Sequence, residues 1–185
     1  MNIKGKKVTL CAMEPQDCGL IVEMFNDPEI ENLVVGWSFP LSEFAQRKWL
    51  ESHYSDQKNL RFVIKDEEGR SLGVATLVDI DWKNRCATYG IKIAKKEDRG
   101  RGIGKDTVMA IMRYAFDELQ LHRLETTYFP DNRPSQGVFL NCGWKEEGIK
   151  RSCVFKGGRY RDLVVCGILA EDYYTLIEEN HYWDE

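Results

Sequence analysis

Histidine is scarce in this chain: three among 185 residues, His53, His122 and His181. None has a second histidine or a cysteine pair at zinc-ligand spacing, so no metal is expected. None has a convergent sequence partner that would make it a catalytic base. The six cysteines, at 11, 18, 86, 142, 153 and 166, contain no C-x-x-C pair. Most lie in apolar runs, such as Val8-Thr9-Leu10-Cys11 and Val164-Val165-Cys166. That pattern reads as buried, reduced thiols in a cytoplasmic protein, and disfavours a disulfide framework. No apolar run approaches the ~20 residues of a membrane span. The N-terminus lacks the long apolar stretch of a signal peptide. The net charge of −4 leaves no basic surplus for nucleic acid. Neither membrane nor nucleic acid is expected as a partner. Internal repeats, linkers and low-complexity segments are absent too, and no Lys or Arg follows Arg161.

What is present is a globular composition, 43% hydrophobic and 30% charged, long enough for a sizeable core. One domain over residues 1–185 is expected. Residues 7–12 read as a strand. A helix follows with Leu20, Ile21, Met24 and Phe25 on one face, stopped by Asp27-Pro28. Residues 33–40 are irregular and aromatic. A helix from about Ser42 to His53 carries Phe44, Trp49 and Leu50. Strands are expected at 60–65 and 72–80, joined by the polar turn Asp66-Glu67-Glu68-Gly69, and again at 86–94. Leu72, Val74, Thr76, Val78 and Ile80 alternate along the second of these as one face of a pleat. Further strands are expected at 123–128, 144–155 and 160–169, with helices at 135–141 and 171–179 and a frayed tail from His181. Paired strands with interspersed helices make a mixed α+β domain.

The most informative stretch is Arg99-Gly100-Arg101-Gly102-Ile103-Gly104-Lys105. It follows a strand and opens a helix whose apolar stripe is Val108, Met112, Ala115, Phe116 and Leu119. Glycine permits close backbone approach and positive φ. The first turn of a helix offers unpaired N–H donors and a positive dipole end. With Arg99, Arg101 and Lys105 these make a phosphate seat. The Walker pattern G-x-x-x-x-G-K-[ST] fails at both ends, at Arg99 and Asp106. The dinucleotide pattern G-x-G-x-x-G fails at Lys105.

The pattern R-x-x-G-x-G does fit, as Arg99, Gly102 and Gly104. About thirty residues later comes Asn132-x-x-Ser135-x-x-x-Phe139-x-x-x-Gly143-Trp144. With these motifs the chain resembles the GNAT superfamily of acyl-coenzyme A N-acyltransferases. The opening Val8-Thr9-Leu10, Glu14-Pro15-Gln16-Asp17 and Asn26-Asp27-Pro28-Glu29 resembles its ribosomal-protein N-acetyltransferase branch, as does the ending Gly158-x-Tyr160-x-Asp162. The resemblance implies a three-layer α/β fold with a mixed, mostly antiparallel, twisted and splayed sheet of about seven strands flanked by helices. It implies acetyl-coenzyme A as co-substrate. Arg99, Gly100, Arg101, Gly102, Ile103, Gly104 and Lys105 would hold the pyrophosphate. Ile91, Ile93 and Ala94 would pair with the pantetheine arm, and Asn132 and Ser135 would contact it. The implied reaction is direct attack by a neutral primary amine on the acetyl thioester. A protein N-terminus, a polyamine or an amino sugar would be the acceptor. Homodimers are common in the branch.

The catalytic groups are less plain. Many members carry a tyrosine, as general acid, at the position of Phe139, which has no proton to give. Ser135 is the nearest hydroxyl; it can serve as acid or simply satisfy backbone donors at a helix start. Cys142 is a second donor, or a packed thiol. As base, Glu125, Tyr89 and Asp79 each compete with a structural reading. Trp37 and Phe39 would line the acceptor pocket, or else belong to the core. Glu31 and Glu43 would steer a cationic acceptor, or form a solvated face. The missing tyrosine also motivates a second function class, a non-catalytic acyl-coenzyme A binding or sensing module.

Overall fold

The computed structural model describes residues 1–36, 39–53 and 55–184. Its central hairpin shows how the sheet is made. β-branched and apolar residues in Leu60–Lys65 (β3) and Ser71–Asp81 (β4) pair antiparallel around the polar turn. Cys86–Ile93 (β5) pairs antiparallel with β4. On the other flank Thr9–Ala12 (β2) pairs with β3, and a short edge, Ile3–Lys4 (β1), with β2. Arg123–Tyr128 (β6) joins β5 in parallel. A long hairpin, Lys145–Lys156 (β7) and Arg159–Leu169 (β8), completes the order β1-β2-β3-β4-β5-β6-β8-β7. Every pairing but β5–β6 is antiparallel.

Six helices flank this sheet among the described residues: Cys18–Asn26 (α1), Pro28–Leu33 (α2), Glu43–His53 (α3), Ile103–Arg113 (α4), Arg133–Leu140 (α5) and Ala170–Asn180 (α6). A π-helical turn, Tyr114–Glu118, prolongs α4. The stripe of α4 lies on one face of the sheet, where Val108, Met109, Ile111 and Met112 meet Leu10, Ile64, Ala75, Leu77 and Leu124. The other face carries a smaller cluster of Ile21, Met24, Ile30 and Val74 under α1 and α2. Burial of these side chains stabilises each layer by ~25 cal/mol per Å² of apolar surface removed from water.

Four local expectations are corrected. Asp27-Pro28 does not simply end a helix but starts another: the Asp27 carboxylate accepts from the Glu29 and Ile30 N–H groups, and Pro28 occupies the first helical position. The alternation along β4 is broken twice, by a register shift against β3 at Leu72, between Ile64 and Lys65, and by a shift against β5 beside Asp79, whose φ is 53°. Leu72, Ala75, Leu77 and Ile80 therefore share the main core, and Val74 faces the other way. In α3 the buried side chain is Gln46, and Phe44 is 68% exposed. The tail does not fray as far as Asp184: Tyr182 donates to Asp106 at 2.7 Å and Trp183 to Tyr173 at 2.9 Å.

Asp106 holds that corner together. Its buried carboxylate accepts the backbone N–H of Lys6, Lys7 and Val8 at 2.8, 2.7 and 3.0 Å, besides the Tyr182 hydroxyl. A Cβ at Gly5 would collide with it, so the β1–β2 turn closes only on glycine. Asp106→Ala is expected to lower stability by about 3 kcal/mol, because it strands buried N–H donors. Urea unfolding measures this, and a loss near zero would show that the turn stands unaided.

Candidate active site

β5 and β6 pair only at Cys86–Arg123, Ala87–Leu124 and Thr88–Glu125. Beyond that point β5 runs on to Ile93 and β6 to Tyr128 without pairing with each other. Each keeps its outer partner, β4 and β8 respectively. The strands thus splay into a slot with a peptide edge on each wall. Backbone N–H and C=O groups need partners, and an extended chain of amides supplies them. Ile91 and Ile93 lie on the β5 wall, their side chains partly buried against the main core. Ala94 ends it, its N–H donated to Leu72 O at 2.9 Å.

The glycine turn sits at the end of that wall. Gly100 and Gly102 have φ of 73° and 83°, the left-handed region that β-carbons disfavour, and Gly102 caps α4. The first helical bond is from Asp106 N–H to Gly102 O, leaving the N–H groups of Ile103, Gly104 and Lys105 without helical acceptors. α5 packs beside this turn: a Cβ at Gly104 would meet Val138 at 3.4 Å, an ordinary contact. The charges are committed in part. Arg99 bonds Glu29 at 3.1 Å, Arg101 reaches Asp98 at 3.4 Å, and Lys105 lies 5.6 Å from the Tyr182 ring centre. Lys7, which sequence reasoning passed over, donates to Arg101 O at 3.1 Å and adds a cation beside Gly102. Asp98 anchors the turn from below, buried and gripped by two Arg70 bonds of 3.0 and 2.8 Å. Arg70 holds the Asp98 carboxyl below its ordinary range.

The residues expected to carry chemistry are placed as follows. Asn132 is buried; its side chain accepts from Ser135 N–H and donates to Leu33 O, both at 3.2 Å. Ser135 is partly exposed, and its hydroxyl makes no hydrogen bond among the described residues. Glu125 marks the point where pairing ends, but it is exposed and accepts from Arg123 at 2.8 Å. Asp79 occupies the β-bulge, exposed. Cys142 is sealed in the core, its thiol pushed up to about 12 by burial. Phe139 is likewise sealed, in an aromatic cluster with Trp144 at 5.0 Å and Tyr89 and Tyr128 at 6.0 Å. The Tyr89 hydroxyl is buried without a partner, and burial raises its pKa well above the ordinary tyrosine value. Neither Tyr89 nor Cys142 is exposed to solvent.

α2 lies across the mouth of the slot. It packs on β4 through Ile30 and Val74. Its last carbonyls are bonded from the far side: Asn32 O by Arg161 at 3.2 Å, Leu33 O by Asn132, and Val34 O by Lys156 at 2.7 Å. Cations at a helix C-terminus match its dipole. Below α2 is a small cavity of about 60 Å³ lined by Met24, Phe25, Ile30, Glu31, Val34, Gly36 and Lys92. Glu31 pairs with Lys156 at 2.9 Å, and Glu43 with Arg47 at 2.7 Å. Of the two aromatic residues expected here, Phe39 is 67% exposed; Trp37 lies outside the described residues. Lys156 and Lys92 were invisible as site residues in the sequence, because each is one basic residue in an ordinary strand.

Residues 7–145 match the family described as acetyltransferase (GNAT) domain. The chain is 29% identical to the SPbeta prophage-derived uncharacterized N-acetyltransferase YokL of Bacillus subtilis, over 96% of each chain. It is 28% identical to a spermidine N(1)-acetyltransferase of Vibrio cholerae, over 94% of this chain and 99% of that one. The crystal structure of spermidine N-acetyltransferase from Vibrio cholerae in complex with CoA and spermine superposes with a TM-score of 0.85 at 26% identity, covering 91% of this chain and 98% of that one.

An orphaned buried hydroxyl costs stability and does no chemistry from a sealed core. Tyr89→Phe is expected to raise stability by about 1 kcal/mol and to leave thiol release from acetyl-coenzyme A unchanged. A loss of turnover with the fold intact would reassign Tyr89 to the reaction.

Proposed function

The chain belongs to the acetyltransferase (GNAT) domain family, and on that premise we propose that it moves the acetyl group of acetyl-coenzyme A to a primary amine on a small molecule. Acyl transfer to an amine is the activity common to the family and the relatives named above. The slot between β5 and β6 is the observation that carries the detailed reading. Its two peptide edges suit the amides of the pantetheine arm, and the glycine turn beyond it suits the pyrophosphate. In that pose the backbone N–H groups of Ile103, Gly104 and Lys105 face the phosphates, with Arg101, Lys105 and Lys7 adding charge. Ile91, Ile93 and Ala94 line the pantetheine path, with Asn132 and Ser135 on the opposite side.

The thioester then lies near the end of β5–β6 pairing. The amine, deprotonated, attacks its carbonyl carbon; a C–N bond forms, the C–S bond breaks, and the thiolate leaves with a proton. Slot-facing backbone N–H groups polarise the carbonyl oxygen. Ser135 is the hydroxyl available to protonate the leaving sulfur. Glu125, already bonded to Arg123, serves the amine best through water. The opening motif's likeness to the ribosomal branch keeps a protein N-terminus as the alternative acceptor. The second functional reading, a coenzyme-binding module without turnover, is favoured by one observation, the sealed Phe139 where a tyrosine would donate.

Thiol release with a panel of polyamines, amino sugars, amino acids and peptides separates these readings. Turnover on at least one small amine is expected; tight acetyl-coenzyme A binding without turnover on any would leave the binding module. Gly102→Glu is expected to weaken coenzyme binding by about a hundredfold or more, since it sets a carboxylate in an anion seat. Calorimetry measures that change, and an unaltered affinity would remove the phosphate seat.

A further inference from the structure

We propose that the acceptor amine carries a carboxylate and that the Lys92 ammonium binds it, a substrate class that rests on the acetyltransferase reading above. Lys92 belongs to the stretch of β5 that has left β6, so it borders the slot. Val63, Val74 and Lys92 stand abreast across β3, β4 and β5. Val74 packs under α1 and α2, which puts Lys92 on that same face, away from α4. There its side chain lines the cavity, with the ammonium 5.5 Å from the centre of the Phe25 ring.

That ammonium makes no hydrogen bond and no ion pair among the described residues. Its surroundings are Met24, Phe25, Ile30 and Val34, of which the Phe25 ring face alone attracts a cation and supplies no hydrogen bond. Burial lowers its pKa, and no neighbouring acid offsets the effect. A mostly buried cation without a counter-ion is costly, and an arriving anion removes the cost. The one acid in the cavity wall, Glu31, faces Lys156 at 2.9 Å. Glu29, on the same helix, is held by Lys96 at 2.6 Å and Arg99 at 3.1 Å. Arg161, at the end of α2, is matched by Asp131 at 2.6 Å, which leaves Lys92 as the cation to be met. A polycation entering here would meet like charge. An amino acid or short peptide would leave its amine toward the slot and its carboxylate on Lys92.

The test compares matched acceptors on the full chain with acetyl-coenzyme A: a small amino acid or dipeptide, its C-terminal amide, and spermidine. A charge-assisted hydrogen bond predicts a kcat/KM about tenfold or more higher for the acid than for its amide. In Lys92→Met the acid-to-amide ratio is expected to fall to about one, mainly through KM, and Lys92→Arg should restore it. Coenzyme affinity and melting temperature check the fold of each variant, and Lys92→Gln repeats the test if the methionine variant is unstable. Preference of the natural chain for spermidine or for the amide would overturn the proposal. So would an unchanged ratio in Lys92→Met, or an equal loss of kcat on both acceptors. Absence of turnover on every amine, with coenzyme bound, would instead overturn the acetyltransferase reading itself.

Discussion

Two parallel strands that stop pairing part-way govern this structure. Past Thr88 and Glu125, β5 and β6 turn peptide edges toward each other across a gap. A buried sheet edge is tolerated only when something else satisfies it. The fold meets part of this demand by keeping the outer partners, β4 and β8, paired along both splayed strands. The core of α4 against the sheet is what allows it: the strands are fixed from below by apolar packing, so the gap need not collapse.

Holding such a gap open requires anchors on both sides. Arg70 and the buried Asp98 fix the turn before α4, and Asp106 ties the first turn of α4 to the N-terminal segment and to the tail. On the opposite side, Arg161, Asn132 and Lys156 fasten the carbonyl end of α2 across the mouth. These are charge-assisted or buried bonds between segments far apart in sequence. Each orients a segment while apolar burial supplies most of the stability. The same wiring explains the electrostatic character of the cavity: its acid is already matched, and its lysine has no counter-ion among the described residues.

Much of the fold was legible in the sequence. The strand at Leu60–Lys65 and the strand at Arg123–Tyr128 follow from their residue types and turn signals, to the residue. The helix after Gly102 follows from its stripe. The errors share a cause, which is local rules overridden by tertiary contacts. A proline after an aspartate both stops a helix and starts one, and the difference is made by what the new turn packs on. Alternation along β4 fails at a bulge, because periodicity carries no record of register. The tail looks frayed until its aromatic residues find Asp106 and Tyr173.

By itself the sequence determined the turn that opens α4. Gly100, Gly102 and Gly143 take left-handed backbone angles that β-carbons disfavour, so those turns can be read without coordinates. Tertiary structure alone decided how the charges beneath α2 are paired. Whether a glutamate steers a cation or neutralises a lysine depends on which strand passes beside it. Glu31 meets Lys156 at the end of β7, whereas Lys92 of β5 meets no acid among the described residues. Charge is encoded in the residue, but its partner is encoded only in the fold.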